Sequence, residues 1–127
     1  MTVYVLGIGS NENAEHQCRK MVLSIRQKFG HVFVSDLITT KAVGIDAPDY
    51  MNGVVCFESD IHCEELLLWC KALEKELGRD RSQQLCAADI DFLLAYERDS
   101  YQPLEMLIQQ IDEPWFKPLA MQVIKLL

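Results

Sequence analysis

The sequence predicts an α+β fold of the ferredoxin-like kind, a βαββαβ sandwich in which a four-stranded antiparallel sheet carries its helices packed on one face. Three observations predict it. Apolar, β-branched runs recur along the chain and end in glycine, proline or asparagine, as strands do. Two longer stretches space their apolar residues by three and four, as one face of a helix does. Those helical stretches follow the first and third strand-like runs, which is the order of a split βαβ motif.

The first strand is expected over Thr2 to Gly9, ended by Gly7, Gly9 and the turn-forming Ser10-Asn11. Between Asn11 and Phe29, the residues Cys18, Met21, Val22, Ile25 and Phe29 mark one helical face, and Gly30 is placed to cap it. His31 to Thr40 reads as a second strand, Lys41 to Asp49 as a loop with Gly44 and Pro48, and Met51 to Glu58 as a third strand. Cys63 to Leu77 carries the stripe Leu66, Cys70, Leu73 and Leu77, and Gly78 ends it. Glu64 and Glu65 in its first turn suit the positive end of a helix dipole. Arg79 to Cys86 is polar and aperiodic and is expected to be a mobile loop. Ala87 to Tyr96 is a fourth strand, and Pro103 to Ile111 a short helix. Trp115 to Leu127 is apolar enough to return to the core, with helix and strand both open.

A chain of 127 residues is expected to form one domain over 1–127, as a monomer or weak dimer. Its formal charge is −7, and no basic face for neutralising a phosphate backbone is visible, so no nucleic acid is expected as a partner. The five cysteines are odd in number and include no C-x-x-C pair, which points to free thiols, a reducing compartment and cytoplasmic residence. Cys56, Cys63 and Cys70, seven apart, are read as small buried hydrophobes. The apolar start lacks a preceding basic region and is too short to cross a bilayer, so no membrane is expected either. Gly7-Ile8-Gly9 hints at a dinucleotide loop, but Glu12 holds the third glycine place and would repel a pyrophosphate. No P-loop occurs, and His16, His31 and His62 are too scattered for a zinc site or a triad. Trp69, beside the apolar stripe of the second helix, is read as a packing residue.

Asp89-Ile90-Asp91 is the sharpest chemical signal. Residues two apart in a strand share a face, so the two carboxylates project together. Held about 6 Å apart they repel by roughly 3 kcal/mol at an effective dielectric near 20. A divalent cation removes that cost, and Mg²⁺ is commonly held by one or two carboxylates plus substrate phosphates. The same pair also fits a solvent-facing strand edge. Arg79 and Arg81, just ahead of that strand, suit a polyphosphate clamp or a solvated loop. Tyr50 offers a stacking face and Asn52 a paired donor and acceptor, which together would read a flat heterocycle; singly, each also fits a structural role.

Taken in order, Gly9-Ser10-Asn11, Pro48-Asp49-Tyr50-Met51-Asn52, Leu73-Glu74 with Gly78-Arg79, and Asp89-Ile90-Asp91 resemble the motifs of the 6-hydroxymethyl-7,8-dihydropterin pyrophosphokinase family, from about residue 3 to residue 96. The resemblance implies Mg²⁺-assisted transfer of pyrophosphate from the co-substrate ATP to a reduced pterin, a step of folate synthesis. It implies that Asp89 and Asp91 hold the metal. It also implies that Asn52 bonds the pterin edge, that Tyr50 stacks on the ring, and that the backbone near Thr40 and Val43 lines the pocket. Trp115 is taken as the second aromatic, Glu74 as an active-site carboxylate on the nucleotide side, and Arg79 and Arg81 as catalytic cations over the nucleotide. The sequence departs from the family at Gln83 to Ala88, where relatives carry a Trp-Gly-Pro-Arg-Thr-type stretch. A later Pro-His is met by Pro103-Leu104, and an expected arginine falls near Asp112. Three expectations stand: an active pyrophosphokinase, with Arg79, Arg81 and Lys117 supplying the missing charge; a catalytically impaired homologue that binds a pterin or nucleotide or regulates a partner; or a purely structural domain that associates through its sheet.

Overall fold

The structure is a computed structural model and describes residues 1–41, 48–100 and 102–127. Its elements run β1 (Thr2–Ser10), α1 (Ala14–Phe29), β2 (Phe33–Val34), β3 (Ile38–Thr40), β4 (Tyr50–Ser59), α2 (Cys63–Glu76), β5 (Asp89–Glu97), α3 (Leu104–Gln109) and α4 (Phe116–Ile124). The strands form one antiparallel sheet in the order β2-β4-β1-β5, with β3 also paired to β4. The ferredoxin-like arrangement is present.

The expected second strand is divided in two. Ser35 divides it: its amide donates to Val54 O at 2.9 Å, and its Oγ accepts from Val54 N at 2.8 Å. A side chain thus takes one rung of the ladder, and the chain passes through Asp36 and Leu37 before pairing again. α1 begins at Ala14 rather than Asn11, because Asn13 turns left-handed at φ 50°. α2 starts at Cys63, whose thiol side is exposed, so that cysteine is not the buried hydrophobe expected. Cys56 and Cys70 are buried, and burial pushes both thiols up to about 12.

Both faces of the sheet are covered: the expected packing of helices on one face holds for α1 and α2 only, because α3 and α4 cover the other face. On one, Tyr4, Leu6, Ile8, Val55 and Phe57 meet the stripes of α1 and α2, including Met21, Ile25, Leu66 and Leu73. Trp69 packs there against Phe29, edge to face at 5.2 Å. On the other, Val3, Val5, Val54, Cys56 and Leu93 meet Leu107 and Ile108 of α3 and Phe116, Leu119 and Val123 of α4. This settles the tail as helical. It also explains why β1 is apolar without alternation: all but its first residue are buried.

A bulge in β5 sets the site. Leu6 pairs with Phe92 while Val5 pairs with Leu94, so Leu93 is the extra residue. Asp91 therefore lies opposite Gly7 and Asp89 opposite Gly9, while Leu93 and Leu94 both enter the α3–α4 core. No helix of the described residues is long and apolar enough to cross a membrane.

Candidate active site

The α4 face of the sheet is not covered to its end. Tyr50 and Asn52 stand on that face of β4, in step with buried Val54 and Cys56. Thr40 lies opposite Tyr50, and Gly9 lies between Asn52 and Asp89. These residues and the start of α4 enclose a cleft of about 360 Å³ lined by Thr40, Lys41, Tyr50, Asn52, Asp89, Asp91, Trp115 and Phe116. That volume is within the range of small-molecule sites. The cleft thus collects Thr40, Tyr50, Asn52, Asp89, Asp91 and Trp115 from the sequence-predicted residues. Val43 lies outside the described residues.

Two glycines make the cleft possible. A Cβ on Gly7 would stand 2.6 Å from Phe116 Cζ, and one on Gly9 2.6 Å from Asn52 Oδ1. Their bare backbone lets the phenyl ring and the amide lie against the sheet. Asn52 is buried, and its Nδ2 donates to Thr40 Oγ1 at 2.6 Å. That fixes the amide plane and leaves its carbonyl oxygen and second hydrogen for a ligand edge.

Ile90 packs into the α1–α2 core, while Asp89 and Asp91 are half-buried on the opposite face. Burial first, and then the Asp89 charge, push the Asp91 carboxyl up to about 7. The pair is therefore under strain that a proton or a cation relieves. Among the described residues there is no cluster of three or more metal-ligating side chains. Two oxygen donors at a cleft mouth still fit Mg²⁺, whose remaining positions go to water and substrate phosphates.

Arg79 is not a free loop residue. Its backbone N donates to Glu74 O at 3.0 Å, continuing the end of α2. Its Nη1 donates to Glu74 Oε2 and Asp89 Oδ1, both at 2.7 Å, and to Ala88 O at 3.3 Å. Glu74 is buried, and Oε2 also accepts from Ile90 N at 2.8 Å. Its carboxylate is thus committed to the protein, tying α2 to the start of β5. Beyond Arg79 lies a second cleft, of about 520 Å³, lined by Lys71, Glu74, Lys75, Arg79, Asp80 and Arg81. Arg81 is exposed there and also borders the smaller hollow that leads past Tyr50 and Cys86 to Asp89.

The Ser10-Asn11 pair holds the segment ahead of β5. Asn11 N donates to Cys86 O at 3.0 Å, Cys86 N donates to Asn11 Oδ1 at 2.6 Å, and Ser10 Oγ donates to Cys86 O at 3.2 Å.

A model of the 7,8-dihydro-6-hydroxymethylpterin-pyrophosphokinase family matches residues 5–122. The chain belongs to that family. Family members pass a pyrophosphoryl group from ATP to hydroxymethyldihydropterin in folate synthesis, and membership places this chain among those transferases. The match runs past β5 through α3 and most of α4, further than the motifs up to residue 96 suggested. No curated protein matches the chain.

Sequence reasoning missed Lys41, Phe116, Lys71 and Lys75. The i,i+4 spacing of Lys71 and Lys75 on the face of α2 that carries Glu74 was a usable signal. Phe116 was hidden beside Trp115, because which of two adjacent aromatics is buried depends on the Gly7 gap. Among the described residues Lys41 lines the 360 Å³ cleft and Lys117 does not.

Proposed function

We propose that this chain carries out the family's transfer as an Mg²⁺-dependent pyrophosphokinase, with the pterin in the 360 Å³ cleft and ATP reaching it from the side of Lys71, Lys75, Arg79 and Arg81. One observation carries the reading: two carboxylates share the wall of a slot that also holds an aromatic pair and an orientable amide.

In this reading Tyr50 and Trp115 hold the ring plane. Asn52, steadied by Thr40, bonds the ring edge, and the chain at Thr40 and Lys41 lines the pocket beside it. Phe116 keeps the floor apolar and excludes water. Asp89 and Asp91 would hold Mg²⁺, which neutralises charge on the ATP phosphates when bound. Arg79 and Arg81 add positive charge at the phosphate end. Transfer of this kind rests on positioning and charge neutralisation rather than on covalent chemistry by the protein.

The test is AMP release from ATP, Mg²⁺ and hydroxymethyldihydropterin. Release above a no-protein control, abolished in Asp89→Ala and Asp91→Ala, is the expected result. Its absence removes the catalytic reading.

A second reading, a homologue that binds pterin or nucleotide without turning over, is favoured by one feature. Gln83 to Ala88 brings no cation to the segment before β5, where an arginine aiding phosphoryl transfer is worth on the order of 10³–10⁵ in rate. Calorimetry with the pterin and a non-hydrolysable ATP analogue, showing tight binding without AMP release, would select it.

A further inference from the structure

We propose that Arg79 is a counter-ion shared between Glu74 and Asp89, and that Glu74 is a positioning residue that keeps the guanidinium from closing Asp89 to a divalent cation. The inference rests on the metal role of Asp89 in the proposed function and assigns Glu74 a part that does not require it to touch nucleotide.

The geometry is specific. One nitrogen, Nη1, serves three acceptors: Glu74 Oε2 and Asp89 Oδ1 at 2.7 Å each, and Ala88 O at 3.3 Å. It has only two hydrogens for them, so Asp89 holds a divided share of the cation. Among the described residues, Nε and Nη2 of Arg79 form no hydrogen bond. The guanidinium can therefore move toward Glu74 without breaking a further contact.

The two carboxylates differ in what else holds them. The Glu74 side chain is 7% exposed and also accepts the Ile90 amide, so it is fixed in place. The Asp89 side chain is 31% exposed and faces the cleft. A cation arriving at Asp89 competes with the Arg79 guanidinium, and Glu74 receives it when displaced. Without the Glu74 charge, Arg79 would rest on Asp89 alone and oppose that cation in full. Glu74 and Arg79 thus set how open Asp89 is, with opposite signs.

Opposite signs make the test sharp. Mn²⁺ binding is followed by paramagnetic resonance, with and without a non-hydrolysable ATP analogue. Arg79→Ala should bind Mn²⁺ about tenfold more tightly than wild type, the size of one charged hydrogen bond. Glu74→Gln should bind about tenfold more weakly, although a glutamine oxygen still accepts the Ile90 amide. The double variant should return to the Arg79→Ala value. If Glu74 were merely structural, removing Arg79 from Glu74→Gln would not restore Mn²⁺ affinity; that overturns the proposal. Unchanged or weaker binding of Mn²⁺ without the analogue in Arg79→Ala does the same. Failure of wild type and Arg79→Ala alike to bind Mn²⁺, even with the analogue, sinks the metal role of the aspartates and the proposal with it.

Discussion

Asp91 is where the chemistry of single residues is most exposed to experiment. In the folded chain its carboxyl titrates near 7, against 3.8 ordinarily. Between those values the folded state holds a proton that the unfolded state has lost. The stability this group contributes is therefore full below about pH 4 and lost as pH rises to about 7. Asp91→Asn removes the penalty. Its stability relative to wild type, without metal, should rise between pH 4 and pH 8, by on the order of 1–3 kcal/mol once solvent screening is allowed for. Urea denaturation across that range checks it, and a difference that stays flat refutes the burial of the charge. A cation and a proton compete for the same oxygens, so Mg²⁺ affinity should tighten as pH rises through 7. The pairing of Asp89 with Asp91 was legible from period two alone. The partner of Asp89 was not, because Arg79 is ten residues away and meets it only where α2 ends beside β5.

At the scale of elements, the join between β1 and the segment before β5 carries the site. Asn11 bonds Cys86 from both its backbone and its side chain, and its buried Nδ2 has no partner among the described residues. Asn11→Ala leaves the Cys86 amide unpaired, at a cost of about 1–3 kcal/mol. It should also speed amide hydrogen exchange at residues 83–88 more than in α1. Equal protection in wild type and variant would show that the clasp does not hold the segment. Ser10-Asn11 was recognisable in the sequence as a turn, yet its bond to a residue 75 positions later was not. Strand and helix periods placed β1, α1, β4 and α2 well. They failed at Ser35, where a hydroxyl replaces a ladder rung, and at Leu93, where a bulge breaks alternation. Both are decided by the neighbouring strand, which no local window contains.

Across the whole molecule, one sheet separates two cores, and the site lies where the second core stops. Trp115 and Phe116 stand at that boundary, rings 5.9 Å apart, one 42% exposed and the other 2%. Phe116→Ala opens a cavity above Gly7 and should cost about 3–5 kcal/mol. Trp115→Ala should leave stability within about 1 kcal/mol and weaken pterin binding. Thermal melts and calorimetry separate the two; a large stability loss in Trp115→Ala with unchanged pterin affinity would place the ligand elsewhere. By itself the sequence determined the α+β class, the strand–helix order, the shared face of the two aspartates and the family, because periodicity and motif order are local properties of a chain. Tertiary structure alone decided that the tail covers the second face as a helix, that Gly7 and Gly9 admit Phe116 and Asn52, and that Arg79 lies between Glu74 and Asp89. Each of these depends on distances between segments far apart in sequence, which are set only when both cores close around the sheet.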